Sequence, residues 1–513
     1  MPRLSRLAAA LLAVAALALG GCTLPVLAPN IGSARSGGGG ARPAAWRPCP
    51  EVPKGLVGRA ASGMTYDCAS VAVPRNWASK DGQTYEIAMI RIRSREQHDK
   101  IGSLLLNPGG PGGSGIDTAV YLSFGQALGG LPAAVTDRFD VIGFDPRGVG
   151  RSDPIKCISS TDQDAAFAAD PDPASQSDFD EVAALNQRIT EGCGRKYGGQ
   201  LANFSTEQAA RDMDAIRAAV GDPKLSYLGF SYGTLLGATY AQLFPQNIRA
   251  LVLDGAIDPK QDFVTASEVQ AKGFERAFRN FTRWCRADPG SCKIAPDARA
   301  AVTDAMAKAE NSPVENADGR EATPGWIFIG LISSLYTESG WQQLARAIDD
   351  LRQGQSKGIF DLADQYADRR PDGSYTNLFD ANLTVNCTDA ANTPSVERIR
   401  QLQNQWRAKY PLFGAPLAIG MLPCASWPGK HDPYPAGPAV GAPPILVVGT
   451  TGDPATPYEN TAALAGMLGT GHVLTWQGEG HTAYPGTTCI VNAVDAYLID
   501  LAVPKTGETC PAR

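Results

Sequence analysis

Leu225-Ser226-Tyr227-Leu228-Gly229-Phe230-Ser231-Tyr232-Gly233 is the stretch on which the reading of this chain turns. A short apolar run, Leu225 to Leu228, enters it, and a small-residue, helix-like segment, Thr234 to Phe244, leaves it. A serine between two glycines at a strand-to-helix turn is the nucleophile-elbow pattern. The turn is too tight for side chains at the flanking positions, and it lifts the serine hydroxyl clear of the backbone. Taken alone, Gly-x-Ser-x-Gly also describes an ordinary turn serine. Its weight comes from the segments around it and from their order.

A serine hydroxyl is a weak nucleophile at neutral pH. It needs a base, and the base needs an acid that holds its tautomer and its positive charge. On a sheet with this elbow the expected chain order is serine, acid, histidine. The run Ile445 to Val448 leads into Gly449-Thr450-Thr451-Gly452-Asp453-Pro454-Ala455-Thr456, which puts Asp453 at the carboxyl end of a late strand. The run Val473 to Trp476 leads into Gln477-Gly478-Glu479-Gly480-His481. His98 and His431 fall outside this order, and His472 precedes its strand. Thr456-Pro457-Tyr458-Glu459 has the form of a capping box, with Thr456 as N-cap and Glu459 three residues on. Thr456 is also within reach of Asp453.

The oxyanion of a tetrahedral intermediate needs two donors. One is expected from the amide of Tyr232, the other from the loop after an early strand. Leu104 to Leu106 runs into Asn107-Pro108-Gly109-Gly110-Pro111-Gly112-Gly113-Ser114-Gly115, where Gly110 is the first candidate and Gly109 the second. The spacing does not fit a phosphate-binding Gly-x-x-x-x-Gly-Lys-Ser/Thr loop, and no lysine is present. Downstream, Asp145 and Arg147 follow the run Phe139 to Phe144 and are expected to pair with each other, ordering the loop without a catalytic role.

These β-rich runs, with Ala250 to Leu253 and the paired stretches Cys68 to Val73 and Tyr85 to Arg93, alternate with helical patterns. That predicts an α/β fold: a mostly parallel sheet with helices on both faces. The spacing breaks between Gly255 and Pro443, where helical patterns dominate. Phe274, Ala277, Phe278, Phe281 and Trp284 share one face, and Ala298 to Ala309 and Trp341 to Leu351 are further helices. The expected organisation is a targeting segment at 1–21, a tether at 22–45, core at 46–258, a helical cap at 259–442 inserted before the acid-bearing strand, and core again at 443–513.

The formal net charge of -6, without a basic stripe, argues against nucleic acid as a partner. Arg3, Arg6 and the apolar run Leu7 to Leu19 form a signal segment too short to span a bilayer comfortably. It ends in Leu19-Gly20-Gly21-Cys22, which resembles a bacterial lipobox, and that implies cleavage before Cys22, lipidation of its thiol and an exported, membrane-tethered protein. Leu27 to Ala45, rich in Gly, Ser, Ala and Pro, is the spacer. Of 11 cysteines, Cys22 aside, there remain Cys49, Cys68, Cys157, Cys193, Cys285, Cys292, Cys387, Cys424, Cys489 and Cys510. An even number in an exported chain reads as disulfides. Connectivity stays open, with sequential neighbours the expectation because each pair closes a short loop. With no Cys-x-x-Cys and only four scattered histidines, neither a structural zinc site nor a cofactor is expected.

Together the motifs at 107–115, 143–152 (Gly-Phe-Asp-Pro-Arg-Gly-Val-Gly-Arg-Ser), 229–234 and 253–255 (Leu-Asp-Gly), with the Asp453 and His481 loops, resemble the α/β-hydrolase superfamily. More narrowly, the chain from about Trp46 on is similar to secreted actinobacterial tripeptidyl aminopeptidases, relatives of proline iminopeptidase. It is also similar in layout to mycobacterial cell-envelope serine hydrolases described both as proteases and as carboxylesterases. The resemblance implies release of short peptides from a free N-terminus, with a cap carboxylate that captures the substrate ammonium. Asn386-Cys387-Thr388-Asp389 resembles an Asn-Cys-x-Asp segment of this group, so Asp389 is the first candidate anchor and Glu338 the second; a solvated surface acid is the alternative for each. The rival functions are a carboxylesterase or lipase on the same triad, and a non-catalytic binding lipoprotein. A halide- or epoxide-type hydrolase would want an acid where Ser231 stands.

Overall fold

The computed structural model describes residues 42–49, 63–505 and 507–512. The expected signal segment, Cys22 and most of the tether lie outside them. Ten strands form one sheet in the order β1-β2-β3-β5-β4-β6-β7-β10-β11-β12. They are β1 (Arg47–Pro48), β2 (Met64–Pro74), β3 (Thr84–Ser94), β4 (Gly102–Asn107), β5 (Phe139–Phe144), β6 (Leu225–Phe230), β7 (Ile248–Asp254), β10 (Ile445–Gly452), β11 (Gly471–Glu479) and β12 (Glu508–Cys510). The remaining two, β8 (Val314–Glu315) and β9 (Glu321–Ala322), make a separate two-stranded ribbon. From β5 through β12 all pairings are parallel, while β1, β2 and β3 pair antiparallel at one edge.

The period-2 geometry of the strands splits their apolar residues between two cores. Leu105, Tyr227, Leu251, Leu253, Ile445 and Val447 point into one; Leu104, Leu106, Leu228, Val252, Leu446 and Val448 point into the other. A sheet buried on both faces needs helices on both sides, which is why its strands read as continuous apolar runs. Strand β12 carries too short a pattern to be read from sequence; it is held by the Cys489–Cys510 bridge.

The regular elements between β7 and β10 are helices apart from the small ribbon. The helix Phe263–Ala287 buries Phe274, Phe278 and Phe281 in a third core, with Trp326, Leu331, Trp341 and Phe360 from three further helices. A segment not assigned to the cap by its sequence joins it. The helix Gln176–Tyr197, between β5 and β6, packs Phe179 and Val182 against Ile399, Leu402 and Trp406. The roof over the sheet is thus built from two stretches of chain.

The disulfides join Cys49–Cys68, Cys157–Cys193, Cys285–Cys292, Cys387–Cys424 and Cys489–Cys510. Such a set belongs to an oxidising, exported environment. Among the described residues no helix is long and apolar enough to cross a membrane.

Candidate active site

Strand β6 ends at Phe230 and the helix Tyr232–Leu243 begins one residue later. Ser231 between them has φ 56° and ψ -123°, a conformation that costs a non-glycine residue about 1–3 kcal/mol. The turn is over-determined. The Ser231 amide donates to the Asp254 carbonyl at 2.9 Å, and Thr234 donates back to the Ser231 carbonyl through Oγ1 at 2.7 Å. A Cβ on Gly229 would lie 2.5 Å from the Gly233 carbonyl oxygen, so the flanking glycine is a steric requirement.

The loop after β4 lies directly against this turn: a Cβ on Gly109 would lie 2.5 Å from the Phe230 oxygen and 2.9 Å from Ser231 Cβ. The Gly109 amide is committed within the loop, donating to Asn107 Oδ1 at 2.9 Å. Gly110 lines both of the cavities that Ser231 lines.

Asp453 is fully buried at the end of β10. Its Oδ1 accepts from the amides of Ala455 and Thr456, both at 2.9 Å, and its Oδ2 accepts from Thr456 Oγ1 at 3.0 Å and the Thr482 amide at 3.3 Å. His481 places Nδ1 2.9 and 3.0 Å from the two carboxylate oxygens. This arrangement sets the tautomer: Nδ1–H donates to Asp453 and Nε2 is left without a proton. Burial alone would lower the imidazole pKa, but the Asp453 charge and hydrogen bond outweigh it and hold it above the ordinary 6.5. The His481 amide donates to the carbonyl of Tyr336, at the end of the helix Pro324–Leu335, at 2.8 Å, and the Tyr336 ring stands edge-on to the imidazole at 5.2 Å. Ser231 and His481 face the same cavity of about 290 Å³.

Two local expectations are corrected. Thr456 is not a helix N-cap: the helix Glu459–Leu468 starts after Tyr458, and both the amide and the hydroxyl of Thr456 go to Asp453. Glu459 instead pairs with Arg276 and Lys272. Asp145 and Arg147 do not pair. Arg147, buried, forks onto Asp212 at 2.5 and 2.7 Å, while Asp145 accepts from Ser114 Oγ and the Arg151 amide. The rigid guanidinium plane points down to the helix Thr206–Val220, away from the neighbouring acid.

Asp389 lines the larger cavity, about 780 Å³, together with Ser231 and Tyr232. Its Oδ1 accepts from the Thr206 amide at 2.9 Å and its Oδ2 from Thr206 Oγ1 at 2.6 Å; the same hydroxyl lies 2.6 Å from the Tyr232 phenol oxygen. Burial, with nearby Asp432 adding repulsion, pushes the Asp389 pKa up to about 7 against the Thr206 hydrogen bonds. Glu338 is exposed and is not among the residues lining either cavity. Thr206 and Tyr336 had no local signal of a role, and Asp254 had only its place in the Leu-Asp-Gly motif at 253–255. Each is defined by a partner more than 100 residues away.

Asp254 is buried behind His481 and accepts from the amides of Ala483 (2.9 Å) and Tyr484 (2.8 Å), which shapes the histidine loop. Burial, opposed by those amides, raises its pKa to about 7. Asp389 reaches the same value, so the folded chain holds protons that the unfolded chain releases near 3.8. Their contribution to stability is full below about pH 3.8 and is lost as pH rises through about 7. Denaturant midpoints are therefore expected to be higher at pH 5 than at pH 8, with the difference reduced in Asp254→Asn. A difference that the substitution leaves intact would remove Asp254 as its source.

Among the described residues no group of three or more His, Cys, Asp or Glu side chains is placed to hold a metal ion. The family described as alpha/beta hydrolase fold matches residues 102–485. Serine protease Hip1 of Mycobacterium tuberculosis is 37% identical over 498 residues, covering 91% of each chain. Carboxylesterase B of the same species is 34% identical over 516 residues, covering 96% of each. Tripeptidyl aminopeptidase of Streptomyces coelicolor is 32% identical over 450 residues, covering 86% of this chain and 82% of that one.

Proposed function

The chain belongs to the α/β-hydrolase fold family, and on that premise we propose that it is a serine exopeptidase that releases short peptides, tripeptides favoured, from a free N-terminus. Ser231 Oγ attacks the acyl carbonyl. His481 Nε2 takes the hydroxyl proton and then gives it to the leaving amine, and Asp453 holds the imidazolium. The amides of Tyr232 and Gly110 receive the oxyanion; Gly109 is spent on Asn107. Water, activated by the same imidazole, then hydrolyses the acyl-enzyme. No cofactor takes part.

The observation that carries the exopeptidase reading is the Asp389 carboxylate, buried in the wall of the cavity that Ser231 opens into. The amide and hydroxyl of Thr206 supply two of its hydrogen bonds and leave lone pairs for an ammonium. With its pKa near 7, it ionises fully when a cation arrives to pair with it. Glu338, outside the cavity, is the weaker anchor. Lipidation at Cys22 would hold the enzyme on the outer face of the cytoplasmic membrane, facing peptide substrates of the envelope. The second reading, a carboxylesterase, is favoured by the resemblance to carboxylesterase B over 96% of the chain.

A chromogenic tripeptide with a free or blocked N-terminus, offered beside a short acyl ester, separates the two. The free peptide is expected to turn over and the blocked one not. Asp389→Asn is expected to lower kcat/KM for the free peptide by about 10²-fold, the scale of a desolvated charge pair losing one partner. Equal cleavage of both peptides would remove the anchor, and turnover of the ester alone would move the function to esterase.

A further inference from the structure

The two cavities meet at the nucleophile. Gly110, Ser231, Tyr336, Tyr366, Phe379 and Asn382 line both. They differ in what lies beyond: Asp389 is in the wall of the larger one only, and His481 in the wall of the smaller one only. This asymmetry assigns direction. When the tetrahedral intermediate collapses, the bond between the carbonyl carbon and the leaving atom breaks, and the imidazole proton moves to that atom. The leaving group therefore sits on the His481 side, and the acyl portion extends toward Asp389.

The walls of the smaller cavity have a distinct chemistry. Tyr121, Leu122, Phe230, Leu378, Tyr484 and Pro485 supply aromatic and aliphatic surface, and among the described residues no Asp, Glu, Lys or Arg lines it. At about 290 Å³ it stands at the small end of ligand pockets, near ~300 Å³. A charged side chain entering it would give up water without meeting a permanent opposite charge, since His481 must be neutral to act as the base.

We propose that this cavity is the leaving-group subsite and that it selects an apolar or aromatic residue immediately after the scissile bond, rejecting an acidic one. The inference rests on the roles given above to Ser231 and His481. It does not require the exopeptidase reading, since an ester's alcohol would occupy the same place.

Acyl transfer tests it directly. The acyl-enzyme formed from a short acyl ester is offered phenylalanine amide, leucine amide or aspartic acid α-amide in competition with water. By microscopic reversibility the attacking amine occupies the leaving-group site; its nitrogen bonds to the acyl carbon, Ser231 leaves, and His481 relays the proton. Transfer to the phenylalanine and leucine amides is expected to saturate and to exceed transfer to the aspartic acid amide about ten- to hundredfold, the gain from burying such a side chain. Tyr121→Lys, which puts a cation in the wall, is expected to shift the partition toward the acidic amide. Equal partition of the three amides in the unmodified enzyme would overturn the subsite whatever the variant does. Failure to form any acyl-enzyme would overturn it together with the role of Ser231.

Discussion

Ser231→Ala is expected to abolish hydrolysis of both peptide and ester substrates, lowering kcat by about 10⁶-fold, the scale seen when the serine of such a triad is removed. The burst of chromophore that marks acyl-enzyme formation should vanish with it. The fold should be unaffected. Alanine carries the same Cβ as serine, so the φ of 56° is no harder to hold, and the turn is fastened through backbone groups: the residue-231 amide to Asp254 and its carbonyl to Thr234. Activity loss without a change in thermal midpoint is therefore the signature. A fully active alanine variant would end the mechanism.

Asp453→Asn should be nearly as severe, about 10⁴-fold in kcat at neutral pH. The carboxylate accepts from five groups: the Ala455 and Thr456 amides, the Thr456 hydroxyl, the Thr482 amide and the imidazole. An amide in its place turns one of those acceptors into a donor. The ring can then take the tautomer that presents Nε2–H to Ser231, which cannot accept a proton. The pH profile gives an independent reading. Asp453 is the main group holding the His481 pKa above 6.5 against burial, so residual activity in the variant should have its acid limb at lower pH than the wild type. Activity within tenfold of wild type, or an unmoved acid limb, would mean that another carboxylate supports the imidazole. Buried Asp254, which also raises the His481 pKa, would be the first to examine.

The elbow, the two later loops and the glycine loop after β4 were legible because each is a local problem. A turn in which a Cβ on Gly229 would lie 2.5 Å from the Gly233 carbonyl oxygen admits one residue type, and a strand followed by a loop can be read in a dozen letters. Capping and ion pairing were less legible because they are competitions. Thr456 had the pattern of a cap, yet a buried carboxylate three residues earlier took both of its donors. Arg147 stood two residues from an acid, yet found Asp212 with better fork geometry across the core. The share of the earlier helix in the roof was hidden for the same reason: the helix Gln176–Tyr197 looks like any amphipathic helix, and only its partners Ile399, Leu402 and Trp406 attach it to the inserted helices.

Local residue chemistry thus determined which groups this protein could bring to a reaction: a strained serine, a loop acid and a loop histidine in that order along the chain, on a sheet whose apolar period dictates its two-sided burial. Tertiary packing decided how they are used. It set the 2.9 Å contact between Nδ1 and the carboxylate, the side of Ser231 on which the imidazole stands, and the placing of Asp389 rather than Glu338 in the cavity wall. Those outcomes depend on segments 28 residues apart for the imidazole and its carboxylate and 183 apart for Asp389 and Thr206, and the balance of burial against hydrogen bonding between such segments leaves no trace in any short stretch of sequence.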